Sequence, residues 1–402
     1  MTASSFAPHS RPVVKLRPGK GKRLAHGAPW AYADEIALER RTKSLAPGSL
    51  VTLVEGERSF GTAAFNPKSQ IAARLLDPDP TAEIDESWLA HRLTRALDLR
   101  QRLYDAPFYR LVHAEGDGLP GLVIDRFGET LVIQPNAAWI DRLAGPLIEA
   151  ARTVTGCSTI VINATSRVRP LEGLETHLTL AAGEVPGPIP VPMNGATYLA
   201  DVMGGQKTGL FYDQRPNHAF AAQLGRGGRV LDLFSHVGGF ALAALAAGAE
   251  HALAVDSSAP ALALATDGAR QSGVEARFET RRQDAFAGLE TLSSEGARFD
   301  LIISDPPAFA PAKSALPQGL RAYERLARQA APLVSPGGWL VLCSCSHAAD
   351  PAAFHKASTA GIAKAGRQGQ LIWSGRAGPD HPQHPALPET SYLKALAFRL
   401  DG

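Results

Sequence analysis

Up to about Asp77 the apolar residues come in short runs, "PVVKLR", "SLVTLVEG", "SFGTAAF" and "IAARLLD", punctuated by glycines and by Asn66-Pro67. Runs of that length between turn residues predict a small β-rich module. The acid-rich "DPDPTAEIDE" follows as a linker. "SWLAHRLTRALDLRQRLYD" then repeats apolar residues every three or four positions, the period of an amphipathic helix. "GLPGLVIDRFGETLVIQ" reads as a hairpin turning at Arg126-Phe127-Gly128-Glu129, and the amphipathic "WIDRLAGPLIEAARTVTG" comes next. Strands "STIVINAT" and "HLTLAAG" complete a small α/β domain that ends at "EVPGPIPVP".

Asn194-Gly195 suits a type I′ turn and opens the third block with a hairpin. From Arg229 the pattern alternates: "RVLDLF", helix "GGFALAALAAG", "HALAVD", helix "APALALATDGARQSG", "ARFETRRQDA", "FDLIISDPP". Helix "QGLRAYERLARQAAPLV", "GWLVLCSCS", a helix from Ala352, "QLIWSG" and "YLKALAFRL" follow. Strand and helix in alternation predict a largely parallel, doubly wound sheet, with ligands bound beyond the carboxyl ends of its strands. The expected domains are residues 1–80, 81–190 and 191–402, since a chain of 402 residues is too long for one ordinary core.

Composition, 45% hydrophobic and 20% charged, describes an ordinary globular protein with no stretch near the roughly 20 apolar residues of a membrane span. The first 20 residues carry no apolar core with a cleavage site, so no secretory signal is read. Three cysteines in so long a chain argue against a disulfide framework and for a reducing, cytoplasmic setting. The net charge is only +2, but Arg11, Lys15, Arg17, Lys20, Lys22 and Arg23 come without an acid before Asp34. That run is either a solvated end or a face that contacts phosphates.

The strand-end loops carry the candidate chemistry. In "VLDLFSHVGGFALAAL", Gly238-Gly239 at a helix start admits a ligand closely and offers free N–H groups, or else serves packing; the spacing is not that of a dinucleotide fingerprint. Asp256, in "ALAVDSS", is placed to accept ribose hydroxyls or to cap the next helix. Asp284, in "RRQDAFAG", could accept from an exocyclic amine. Asp305-Pro306-Pro307 stiffens the chain past a buried strand and offers a carboxylate to a planar base.

"WLVLCSCSH" holds two of the cysteines. Strand alternation buries Cys343 with Val341, and Cys345 falls where the strand gives way to the crevice. Two-residue spacing along a strand lies at the outer limit of disulfide geometry. Cys343, Cys345 and His347 lack a fourth metal ligand at a recognisable spacing, so no metal is expected. Core filler and a nucleophile remain for Cys345, and the nucleophile is the better account.

Taken together, "GGQKTGLFYDQRPN", "VLDLFSHVGGFALAAL", "SDPPAFA", "CSCSH" and "AGPDHPQHPALPETSYLKAL" resemble the bacterial large-subunit ribosomal RNA cytosine-5 methyltransferases of the PUA-domain type. "GAPWAYADEI" resembles that family's PUA module and "AEGDGLPGLVIDRFGETLVIQ" its central domain. The resemblance implies an α/β chain. Its C-terminal domain would be a Rossmann-like class I methyltransferase with a doubly wound, mostly parallel seven-stranded sheet, preceded by a small α/β domain and an N-terminal β-rich PUA-like domain. It implies S-adenosyl-L-methionine (SAM) over Asp232, Ser235 and Gly238, with Asp256 on the ribose and Asp284 near the adenine. It implies that "KTGLFYDQR" covers the cofactor, bringing Lys207, Thr208, Tyr212, Gln214 and Arg215 to SAM or the target base. Cys345 matches the family's nucleophile and Asp305 its base-contacting acid, with Pro306 and Phe309 beside the substrate. Lys15, Arg17, Lys20, Lys22 and Arg23 become RNA-contacting residues. The partner implied is large-subunit ribosomal RNA, with no membrane and with a homodimer as one open assembly.

The chemistry fits these residue types. Ring carbon 5 of cytosine is a poor nucleophile until a thiolate adds to carbon 6, and cysteine is both a good nucleophile and a good leaving group. An acid at Asp305 can hold the pyrimidine edge as charge shifts into the ring, and Lys207 or Arg215 could favour the thiolate. The Asp-Pro-Pro loop lacks the second cysteine of many RNA cytosine-5 enzymes, which leaves the base for the carbon-5 proton unassigned; His347 is near in sequence only. Competing readings are base-nitrogen methylation with Cys345 a bystander, a non-catalytic RNA-binding assembly factor, and, more distantly, an NAD-dependent enzyme. Gly378–Ser391 reads as a loop over the site with no assigned role.

Overall fold

The computed structural model describes residues 11–205 and 208–401. They fall into two compact units, one of the described residues up to Glu184 with Pro382–Pro388, the other of Val185–His381 with the described residues from Glu389 onward.

The first unit opens with strands β1 (Val13–Lys15), β2 (Trp30–Ala31), β3 (Ser49–Glu55), β4 (Arg58–Phe65) and β5 (Ala73–Asp77) in the order β1-β3-β4-β5-β2. Short helices α1 (Lys22–Ala25) and α2 (Arg40–Lys43) lie between them. Alternation along β3 turns Val51 and Leu53 inward, where they meet Val14, Leu16, Ile36 and Phe65. Helix α3 (Glu86–Leu103) starts at Asp85, whose carboxylate accepts the Trp88 amide in place of a missing helical partner.

A second sheet follows, built from β6 (Phe108–His113), β7 (Leu122–Phe127), β8 (Thr130–Pro135), β9 (Thr159–Ala164) and β10 (His177–Ala182) in the order β10-β9-β8-β7-β6. Strands β8 and β9 are parallel, joined through α4 (Ala138–Arg142) and α5 (Ala144–Thr155); the other pairs are antiparallel. The apolar pattern predicts four strands here, and β6 is a fifth. It escapes the pattern because Arg110 stands inside it, paired with the buried Asp125 beside a bulge. Glu172 ties the two sheets together: it accepts from Asn66, Ser69 and Arg74, and all four side chains are buried.

The second unit begins with the antiparallel hairpin β11 (Ile189–Met193) and β12 (Ala196–Ala200). Asn194 and Gly195 both have positive φ at its turn, as a type I′ turn requires. Seven strands then form one sheet: β13 (Arg229–Leu233), β14 (His251–Asp256), β15 (Phe278–Arg282), β16 (Phe299–Ser304), β17 (Val334–Ser344), β18 (Gly369–Gly375) and β19 (Lys394–Leu400). Their order is β15-β14-β13-β16-β17-β19-β18. The first five run parallel, and β19 pairs antiparallel with both β17 and β18. Helices α6 (Arg215–Leu224), α7 (Gly239–Ala246), α8 (Ala259–Gln271), α9 (Ala285–Ser294), α10 (Leu316–Ala330) and α11 (Pro351–Lys364) connect them. The central strands read as continuous apolar runs because both faces are buried. Strand order reverses between β13 and β16, so a crevice opens there at the carboxyl edge.

Candidate active site

At the end of β13 the chain turns sharply. Phe234 (φ +60°), His236 (φ +50°) and Gly238 (φ +79°) are all left-handed, although only Gly238 is a glycine. Such conformations in bulky residues cost energy and gather at ligand sites. The amides of Ser235 and Gly238 fix the turn by donating to the carbonyls of Val255 and Ser235. Gly239 is small for another reason: a Cβ there would stand 2.7 Å from the His218 ring. One member of the glycine pair therefore serves packing. Burial pushes the His218 imidazole down to about 3, so it is a neutral wall of the turn.

Asp232 is 1% exposed. Its Oδ2 accepts the Ala241 amide at 2.9 Å, while Oδ1 has no hydrogen-bond partner among the described residues. Burial above all, and then the nearby Asp305 and Asp256, push its pKa up to about 8. The buried Ser235 hydroxyl also lacks a partner among the described residues. Asp256 accepts the amides of His236 at 2.9 Å and Ser258 at 2.8 Å, joining the β13 turn to the start of α8. Asp284 caps α9, receiving the Phe286 and Ala287 amides on one oxygen, and is otherwise exposed. Asp232, Asp256 and Asp305 thus lie close enough to act on one another's charge, a setting that favours a cation.

Across the crevice, Ser304 of β16 pairs in register with Leu342 of β17, which carries Asp305-Pro306 alongside the end of β17. Of the three cysteines, Cys157 and Cys343 are buried and Cys345 is half-buried. Cys345 Sγ lies 4.0 Å from the Pro306 carbonyl oxygen. Burial, then Asp305, pushes the Cys343 thiol well up, which keeps it protonated. The serines between and after the cysteines point the other way. The Ser344 hydroxyl donates to the Tyr323 hydroxyl at 2.8 Å, and Ser346 shares a 2.8 Å bond with the same Tyr323 oxygen. Ser346 also accepts the Ala310 amide at 2.9 Å. One buried tyrosine of α10 therefore locks the strand that carries Cys345 to the loop that carries Asp305. Phe309 places its ring against Tyr323, Phe286 and Phe234.

The segment from Thr208 to Arg215 leads into α6. Thr208, Tyr212 and Gln214 are buried. Gln214 accepts the Asn217 amide group at 2.7 Å and lies against the Cys343 thiol. The Arg215 guanidinium sits 5.3 Å over the Tyr212 ring. Lys207 lies outside the described residues. Asp213 accepts the Tyr392 hydroxyl, and the Tyr392 ring stacks on His347 at 5.4 Å. Tyr323, Tyr392 and Lys394 carry no strand-end signal, and reading the sequence alone misses them together with the roles of Ser344 and Ser346. The CSCS alternation is the one local hint, since it puts both serines on the face opposite the cysteines.

In the first unit Lys15, Arg17, Lys20, Lys22 and Arg23 are exposed. Lys15 pairs with Glu39, Arg17 donates to the Ile36 carbonyl, and Arg23 lies over the Tyr32 ring near Glu35. Lys20 and Lys22 have no ion-pair partner among the described residues. Among the described residues no group of three His, Cys, Asp or Glu side chains is placed to hold a metal ion. No helix of those residues is long and apolar enough to cross a membrane.

A mostly parallel sheet with one reversed strand near its edge and an acid-lined mouth at the switch point defines a nucleoside-cofactor α/β enzyme. The family model for S-adenosylmethionine-dependent methyltransferases matches residues 165–399, and that for a PUA-like domain matches residues 14–78. The chain is 34% identical over 391 residues to the Erwinia tasmaniensis protein named ribosomal RNA large subunit methyltransferase I, covering 96% of this chain and 98% of that one. It is also 34% identical to the protein of that name from Salmonella arizonae, over the full length of both. A SAM-dependent methyltransferase fold solved from Streptococcus mutans superposes with a TM-score of 0.81 at 19% identity, covering 96% of this chain and 100% of that one. The chain belongs to the SAM-dependent methyltransferases, in the family of these full-length relatives.

The site residues fit that cofactor on their own evidence. SAM is a cation at its sulfonium, and Asp232 Oδ1 is buried with no hydrogen-bond partner among the described residues, near two further acids whose charge a bound cation would offset. When bound, SAM supplies an electrophilic methyl group. Asp232, Ser235 and the Gly238 turn are the groups that would hold it.

Proposed function

We propose that this protein transfers the methyl group of SAM to carbon 5 of a cytosine in large-subunit ribosomal RNA, in the cytoplasm, through a covalent bond to Cys345. The observation that carries the reading is the placement of Cys345: a half-buried thiol at the carboxyl end of β17, beside Pro306 and Asp305. The relatives' names supply the substrate class.

The Cys345 thiolate forms a bond to carbon 6 of the cytosine, and the ring electrons collect on carbon 5, which takes the methyl group. The carbon-5 proton then passes to water, its bonding electrons restore the ring double bond, and the carbon–sulfur bond breaks to release thiolate. Asp305 meets the N3 and amino edge of the base while charge builds there. Thr208, Tyr212, Gln214 and Arg215 line the cofactor side, with Asp256 toward the ribose and Asp284 toward the adenine. Pro306 and Phe309 flank the base. The cytosine must leave its stack to reach a thiol in a crevice, so partly unpaired RNA is the expected substrate. Lys15, Arg17, Lys20, Lys22 and Arg23 would meet its phosphates.

The test is nucleoside mass spectrometry of large-subunit RNA incubated with SAM and either the unaltered protein or Cys345→Ala. Appearance of 5-methylcytosine with the first and not the second supports the reading. Methylation that survives Cys345→Ala, or that appears on a ring or amino nitrogen, overturns it.

A further inference from the structure

Lys394 begins β19, the antiparallel strand beside β17. Its side chain is 7% exposed. The ammonium donates to the carbonyl oxygens of Ser346 at 2.7 Å and Ala349 at 2.8 Å, on either side of the turn that follows Cys345. Among the described residues no carboxylate stands within ion-pair distance of it. A buried cation without an anion is costly, and a fold keeps one where an anion is formed or received. The acidic groups whose charge reaches it are Cys345 first and then Asp350, and Cys345 is the one that adjoins the clamped turn.

We propose that Lys394 is a positioning residue for Cys345: it clamps the turn after the cysteine and supplies the positive charge against which the thiolate forms. The inference rests on the reading of Cys345 as nucleophile. On ionising, the thiol gives its proton to water while Lys394 keeps its own. Burial lowers the Lys394 ammonium to about 8, with Cys345 and Asp350 pulling the other way, so the lysine is charged at neutral pH.

Among the described residues, the other candidates for this role do not supply that charge. Tyr323, from α10, is held neutral by burial and occupied by Ser344 and Ser346. Asp305, from the loop after β16, and Cys343, on the same strand, oppose a thiolate. Asp350 is an acid, and His347 stacks on Tyr392. Arg215 has its guanidinium over Tyr212.

The test measures iodoacetamide alkylation of Cys345 in the full chain against pH, read by peptide mass spectrometry, without RNA or SAM. The unaltered protein should show a midpoint below the ordinary cysteine value of about 8.5. Lys394→Met should raise it by about one pH unit or more, a tenfold loss of thiolate at neutral pH, and Lys394→Arg should restore it. Continued protection of the buried Cys343 reports that the variant is folded. A midpoint of about 8.5 or higher in the unaltered protein, or no change in a folded Lys394→Met, overturns the inference. If Lys394→Met exposes Cys343, the unaltered protein and Lys394→Arg decide. Cys345→Ser separates the two readings. If it abolishes methylation while the alkylation midpoints do not move, only the role of Lys394 fails; if it leaves methylation intact, the nucleophile reading fails whatever the midpoints show.

Discussion

The Cys345 thiol faces the carbonyl oxygen of Pro306 at 4.0 Å, across the seam between two parallel strands. A sulfur at that place meets whatever enters beside the Asp-Pro-Pro loop. The relationship follows from register: Ser304 opposite Leu342 brings the two strand ends out level with each other.

Tyr323 maintains that seam, because its hydroxyl joins Ser344 and Ser346 and Ser346 receives the Ala310 amide. Tyr323→Phe leaves those buried serines short of a partner, at about 1–3 kcal/mol. Methylation turnover should fall about tenfold or more while SAM affinity, measured by calorimetry, stays unchanged. Unchanged turnover would show that the lock does not matter to the chemistry.

Asp232 gives the cofactor-free protein a pH signature. Its pKa is about 8 in the fold and 3.8 as a free side chain, so the folded state binds the extra proton between those values. Its contribution to stability is therefore full below about pH 4 and is lost as pH rises toward 8. Asp232→Asn should flatten that decline in a series of thermal melts. A variant whose melts fall with pH just as the unaltered protein's do would contradict it.

Lys20 and Lys22 are exposed cations of the basic N-terminal run without ion-pair partners among the described residues. Replacing both by alanine should lower the slope of log affinity for RNA against log salt by about 0.7–0.9 for each phosphate that is no longer neutralised. Filter binding at several salt concentrations reads this. A slope that does not change would remove these lysines from the RNA face.

Glu172 holds Asn66, Ser69 and Arg74 in one buried cluster. Glu172→Ala strands the Arg74 charge, a change that costs about 3–5 kcal/mol. Urea unfolding followed by circular dichroism should show an earlier first transition. An unmoved midpoint would mean that water reaches the arginine.

The parallel sheet was legible because its buried strands are apolar runs with turn residues at each end, and the rule that ligands sit at carboxyl edges pointed to Gly238-Gly239, Asp256, Asp284 and Asp305, while Asp232 came from the family resemblance. Burial of Cys343 followed from its place inside one strand, whereas Cys345, expected exposed at the strand end, is half-buried. The clamp around Cys345 was not legible. Lys394 meets Ser346 from 48 positions away, through an antiparallel pairing that no local pattern encodes. Tyr323 sits in a helix whose spacing says only that it is amphipathic. Strand β6 was hidden by Arg110, whose charge is matched by Asp125 from the neighbouring strand. Gly239 looked like a ligand glycine and is small because His218 packs on it.

RNA carrying 5-fluorocytosine at the target position gives the most direct test of the covalent reading. Fluorine at carbon 5 cannot depart as a proton does, so after methyl transfer the carbon–sulfur bond has no route to break. Incubation with SAM should leave a stable protein–RNA complex, and peptide mapping should find the nucleotide on Cys345. Absence of any adduct while ordinary RNA is methylated, or an adduct on a different residue, would contradict the account.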